Sequence, residues 1–271
     1  NNIGTINLPW KTMEKANQTL IAGDTVFIKA GKYNSYIAPE NSGKANALIT
    51  FKNYGTDKVI IEDAVYGIFL NEKSYISIQS INFQNLDRFL YMQHGSNYNV
   101  IAWCNFDQAR MNNGKTAAWA GSVINTNSKH NWMHHCRFSK YGYFTDDDKS
   151  CILDIGDENV TTDFTSHNLI EDCTFFHAGH HVLGVYGMYN VIRNIYIHNE
   201  PWSMGTPQSD RGAVLYGDRC LSIAGYSINS GRNLFEGNQI AYSADPSDNR
   251  GSSGMSLNTS YNNYVTDLNY T

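Results

Sequence analysis

One eight-residue phrase recurs along this chain, and it limits the possible folds more tightly than any other feature. Asparagine leads, two apolar residues follow, and after two variable positions come a small or apolar residue, one variable residue, and an aromatic or isoleucine. The phrase runs from Asn99 through Ile101 and Cys104 to Phe106, and five further copies begin at Asn131, Asn168, Asn190, Asn233 and Asn263. A looser copy runs from Tyr75 to Phe83. The six clear copies start 32, 37, 22, 43 and 30 residues apart. A conserved phrase at uneven spacing is what a stacked repeat looks like when some coils carry loops, the shortest spacing being one bare coil.

Most copies follow a short β-like run: Ile68–Leu70, Leu90–Met92, Val123–Ile124, Ile152–Ile155, Val182–Val185, Val214–Tyr216 and Met255–Leu257. Each coil therefore offers three short strands, and stacked coils give three parallel sheets whose side chains alternate inward and outward. Parallel crossovers are right-handed. The expected fold is all-β, a right-handed single-stranded parallel β-helix. In this register Ile101, Met133, Ile170, Ile192, Phe235 and Val265 stack inward, as do Phe106, Phe138, Phe175, Ile197, Ile240 and Tyr270. The leading asparagines are expected to form a ladder at a corner. An outward column of the second sheet (Ala102, His134, Glu171, Arg193, Glu236, Thr266) carries an expected ion-pair ladder, Glu171–Arg193–Glu236.

The five cysteines form no CxxC pair. Three of them, Cys104, Cys136 and Cys173, share one inward position on consecutive coils, so they are expected as a buried thiol column about 4.8 Å apart, the strand spacing. Residues 9–20 place apolar side chains at helical spacing, with Pro9 early and Gly23 just beyond, and predict a short amphipathic helix capping the first coil. No linker or charge run divides the 271 residues, which predicts one domain over 1–271. The carboxyl end offers no cap of its own, so the chain reads as a piece of something longer.

Charge and hydropathy exclude several partners. The net charge is -5 with no basic stripe, against nucleic acid, and no apolar run approaches the roughly 20 residues of a membrane span.

The opening from Ala22 to Tyr33, then Ile37 to Gly43 and Ile49 to Gly55, resembles the start of pectate-lyase-like β-helix proteins, most of all the chondroitinase B/alginate lyase group, polysaccharide lyase family six. That resemblance implies a secreted or cell-surface protein acting on an acidic polysaccharide. In the family, acidic residues at the start of a first-sheet strand bind calcium, a lysine further along is the base, and an arginine one coil later assists. Here the matching strand is Gly179–Gly187, with His180 and Val182 in the acidic positions and Tyr186 or Gly187 in place of lysine. The next coil has Tyr216-Gly217-Asp218 where arginine is expected, and no lysine follows Lys149. The catalytic set does not carry over.

The residues themselves point to a groove. Insertions at 107–121, 139–150, 198–212 and 241–254 leave one corner of the stack and would wall the first sheet. Expected sugar-stacking residues are Trp119, Tyr141, Tyr143, Trp202, Tyr216 and Tyr242. His180, His181, Tyr186 and Arg211 are the candidate catalytic set, with histidine or tyrosine as base and Arg211, Arg219 or calcium neutralising a uronate carboxylate. Asp154, Asp157 and Asp218 are candidate calcium ligands. Hydrolysis would instead need two carboxylates roughly 5–9.5 Å apart, and Asp154 with Asp218 is the pair on offer. Two functions follow: a monomeric polysaccharide lyase working by β-elimination, or a non-catalytic polysaccharide-binding adhesin or spike module.

Overall fold

The computed structural model describes residues 2–112, 115–116, 118, 120–141, 151–157, 160, 162–178, 181–198, 219–223, 231–241, 253–257, 264–266 and 269–270. Their strands form three parallel sheets of 7, 9 and 9 strands, each strand pairing with its equivalent one coil away. We number the sheets in the order a coil visits them. The first contains Tyr66–Asn71, Arg88–Gln93, Ala120–Ile124, Cys151–Ile155, His181–Val185, Arg219–Ile223 and Ser253–Leu257. The second and third sheets hold the two halves of the recurring phrase, as in Val100–Ala102 and Asn105–Ala109. This is a right-handed parallel β-helix.

The predicted register holds. Met133 pairs with Ile101 and Ile170, and Phe138 with Phe106 and Phe175. A period of two puts every such column on one side of its sheet, so the apolar set cannot slip by one residue without facing water. Phe83, Phe106, Phe138 and Phe175 stack at 4.6, 4.3 and 5.0 Å between ring centroids, all fully buried.

The asparagine ladder lies beside this stack. The backbone N–H and side-chain amide of Asn99 both donate to Asn131 Oδ1 at 3.0 Å, Asn131 does the same to Asn168, and Asn168 to Asn190. Asn190 completes the run on Asn233 at 2.9 and 3.1 Å. The residue before each rung is left-handed: Tyr98, His130, His167, Tyr189 and Arg232 have φ between 53° and 58°. A single left-handed residue turns the chain sharply at a cost of about 1–2 kcal/mol for a non-glycine. The paired amides and the ring stacking of Tyr98, His130, His167 and Tyr189, 4.8–5.3 Å apart, offset it.

The thiol column is also present. The Cys136 backbone N–H donates to Cys173 Sγ at 3.4 Å, and Cys104, Cys136 and Cys173 are buried free thiols. Burial pushes the Cys104 and Cys136 thiols well up. Their protonated forms therefore support the fold fully below the ordinary thiol range near pH 8.5, and that support falls as pH rises above it. We expect melting temperature to decline above that range, and native protein to resist a thiol reagent that labels these cysteines once it is unfolded.

The cap is shorter than predicted. Helix α1 spans Met13–Thr19, with Thr12 as N-cap accepting from the Lys15 N–H at 3.3 Å, while Pro9 and Trp10 precede it in non-helical conformation. Met13, Ala16 and Leu20 join the core and close the end of the stack.

One coil departs from expectation. Its described first-sheet strand is Arg219–Ile223, which pairs with His181–Val185, while the expected run Val214–Tyr216 lies outside the described residues. Leu221 and Ile223 are in register with Leu183 and Val185. Of the predicted ion-pair ladder, Glu171 and Arg193 bond at 2.6 Å, while Glu236 acts on Arg193 only at longer range.

Candidate functional site

The long insertions all connect the third sheet to the first: Ala109 to Ala120, Tyr141 to Cys151, His198 to Arg219 and Ala241 to Ser253. The stacked coils place the described ends of all four along a single corner, at the edge of the first sheet. Its central outward column reads Phe69, Tyr91, Val123, Asp154, with Gly184, Ser222 and Ser256 following in backbone register. A second column runs Tyr66, Arg88, Ala120, Cys151, His181, Arg219, Ser253.

At the amino end of this face lies an aromatic strip that sequence reading missed. Tyr66 and Phe69 both stack on Tyr91 with ring centroids 6.0 Å apart, and Tyr36 meets Tyr66 edge-on at 5.8 Å. The Arg88 guanidinium sits 4.6 Å from the Tyr91 ring centroid. These rings are half-buried or exposed, so part of each remains open to solvent. Along the far edge, Asn71 Oδ1 accepts from Gln93 Nε2 at 3.0 Å and bonds His94 Nδ1 at 2.6 Å. The signal was in the strands: outward residues three apart, 66/69 and 88/91, repeat a large planar pair on adjacent coils.

Further along, Ala120, Val123 and Cys151 form a small buried cluster of their own against Tyr91, on the outward side. Asp154 also points away from the core yet is buried. Asp157 follows two residues after the strand, and Tyr186, buried outside the main core cluster, directly follows the next one. The register thus places Asp154 and His181 on two adjacent strands, with Tyr186 just beyond the second. It also makes His181 the direct partner of Arg219.

Tyr141 is a correction. Its ring is wholly buried against Gly121, where a Cβ would come within 2.5 Å of it, and its hydroxyl donates to the Asp87 carbonyl at 2.6 Å. A ring so enclosed has no face for a sugar. Trp119, Tyr143, Trp202, Tyr216, Tyr242, His180, Arg211 and Asp218 lie outside the described residues, as do the side chains of His181 and Arg219.

Among the described residues no three His, Cys, Asp or Glu side chains cluster to hold a metal ion. Calcium favours six to eight oxygens, and the column neighbours of Asp154 are Val123 and Gly184, which bring no side-chain oxygen.

Comparison with known proteins agrees with the fold. No family model matches the chain. A 93-residue stretch is 32% identical to the uncharacterized protein YwoF of Bacillus subtilis strain 168, covering 31% of this chain and 20% of that one. Among solved structures, a rhamnogalacturonan lyase superposes with a TM-score of 0.59 at 14% identity, over 89% of this chain and 65% of its own. A pectate lyase gives 0.57 at 12% identity, over 100% and 74%. An alginate lyase from Paenibacillus sp. gives 0.51 at 13%, over 92% and 93%. These likenesses show the parallel β-helix fold, and the matched stretch spans about a fifth of the curated relative's length. Among the described residues no helix is long and apolar enough to cross a membrane.

Proposed function

We propose that this is a carbohydrate-active protein, secreted or displayed at the cell surface, that binds an acidic polysaccharide along the outer face of the first sheet and cleaves it by β-elimination. The carrying observation is that this face pairs an aromatic strip with the Arg88 guanidinium. Tyr66, Phe69 and Tyr91 offer surfaces for pyranose rings, and Arg88 adds a cation for a uronate carboxylate. Three strand spacings beyond Tyr91, roughly 14 Å along the stack, His181 and Arg219 lie side by side on adjacent strands.

In this reading Arg219 pairs with the uronate carboxylate at C5 and so acidifies the neighbouring C–H. His181 takes the C5 proton, the electron pair forms the C4–C5 double bond, and the glycosidic oxygen leaves C4 with its bonding electrons and then gains a proton. Similarity of fold to three lyases supports the substrate class without selecting a sugar.

The test is ultraviolet absorbance of unsaturated uronate ends on alginate, pectate and chondroitin, with and without calcium. Absorbance rising on one of them supports the lyase; no rise on any, with retention on the matching affinity gel, leaves the binding-module reading. The absence of lysine after Lys149 favours that second reading. In either case Tyr91→Ala is expected to weaken retention about tenfold, about 1.4 kcal/mol, because it removes the ring that Tyr66, Phe69 and Arg88 all contact.

A further inference from the structure

The outer face of the second sheet holds a different group of side chains. One outward column there runs Thr50, Ser77, Val100, Trp132, Leu169, Val191, Leu234. Trp132 interrupts a row of small and aliphatic residues that serves the fold without it. One coil earlier, Trp103 occupies a left-handed turn position (φ 52°), and the two indoles flank a single imidazole. His134 stacks on Trp132 at 4.1 Å and meets Trp103 edge-on at 4.7 Å.

Polar groups converge beneath them. Glu171 accepts from Trp132 Nε1 at 2.7 Å through one oxygen and from Arg193 Nε and Nη2 at 2.7 and 2.6 Å through the other. His134 and His135 share a hydrogen bond through their Nδ1 atoms at 3.0 Å, so their Nε2 atoms are left for other partners, and among the described residues neither makes a further hydrogen bond. Exposure is inverted relative to an ordinary sheet surface. Trp103 and Trp132 are 52% and 41% exposed, whereas His134 and Glu171 are only 6% and 8% exposed. Leaving indole in water while covering a carboxylate and an imidazole costs free energy on both counts, and nothing in the coil requires it.

We propose that this cluster is a second saccharide-binding site, separate from the first sheet and specific for neutral pyranose chains. The indole faces suit the apolar C–H face of an equatorially substituted pyranose, and the exposed His135 imidazole suits its hydroxyls. Charge selects against uronates. Arg193 neutralises Glu171, and Asp172 and Glu236 both act on Arg193 from nearby, which leaves the patch net negative. The first-sheet face, with Arg88 and Arg219, has the opposite preference, so this inference stands or falls independently of the lyase reading.

The test is intrinsic tryptophan fluorescence of the whole chain titrated with cellohexaose, mannohexaose and xylohexaose, and with oligogalacturonate as the acidic comparison. At least one neutral chain is expected to shift the emission. That response should weaken at least tenfold in Trp103→Ala, recover in part in Trp103→Phe, and persist in Tyr91→Ala. Circular dichroism of Trp103→Ala should match the parent, since the ring lies outside the core. No response to any neutral chain, a response unchanged by Trp103→Ala, or a change only with zinc, marking the histidine pair as a metal grip, overturns the proposal.

Discussion

His181→Ala is expected to lower the elimination rate on the cleaved polysaccharide by about 10²- to 10⁴-fold, the usual worth of a positioned proton-transfer group, while the protein still binds that polysaccharide. The argument is one of register. His181 lies on the first-sheet strand His181–Val185, and its direct neighbour on the next strand is Arg219. Elimination from a uronate needs two things within one sugar: a cation on the carboxylate and a base at the adjoining carbon. Adjacent strands about 4.8 Å apart meet that requirement for a substrate lying across them. Arg219→Ala should produce a comparable loss in the rate, and Arg219→Lys should restore part of it, because a lysine keeps the charge and loses the two-pronged geometry. A parent-like rate in His181→Ala removes the base from this position and returns attention to Tyr186.

The fold was legible because its signals were local and redundant. Each coil repeated the same phrase, and the columns of Phe106 and Ile101 cross-checked one another. Cys104, Cys136 and Cys173 gave a third, independent alignment, since all three are buried at one position of the phrase. The site was less legible for a specific reason. Large aromatics on short strands, such as Phe69 and Tyr91, look like core residues until the register shows which of two neighbours faces outward. Tyr141 erred in the other direction, since only its contact with Gly121 across the corner shows that the ring is enclosed. The strand Arg219–Ile223 was passed over because Val214-Leu215-Tyr216 is the more hydrophobic run. The tryptophan–histidine cluster was visible as an outward column but read as an ordinary exposed surface, because covering by a neighbour's side chain is a property of the stack and not of the column.

Asn131→Ala is expected to destabilise the folded chain by about 3–5 kcal/mol, from two or more buried groups left without partners at about 1–3 kcal/mol each, measured by urea unfolding. The Asn131 side chain serves two neighbours at once. Its Oδ1 accepts the backbone N–H and the side-chain amide of Asn99, and its Nδ2 donates to the Ser96 carbonyl at 2.9 Å and to Asn168 Oδ1 at 3.0 Å. Every residue of this set is buried, so no water replaces what alanine removes. Asn131→Asp separates hydrogen bonding from volume. It keeps the shape and the acceptor facing Asn99, but turns a carboxylate oxygen toward two other acceptors, Ser96 O and Asn168 Oδ1. An ionised carboxylate there is both buried and repelled, so the aspartate variant should be at least as unstable as alanine near neutral pH and should recover as pH falls and the group gains a proton. Asn190 lies two rungs on and bonds the same way to Asn233, and Asn190→Ala should cost a similar amount, with the double variant departing from the sum because Asn168 bonds to both residues. A loss below 1 kcal/mol in both single variants would mean that the amide ladder follows from the stacking of coils and does not hold them in register.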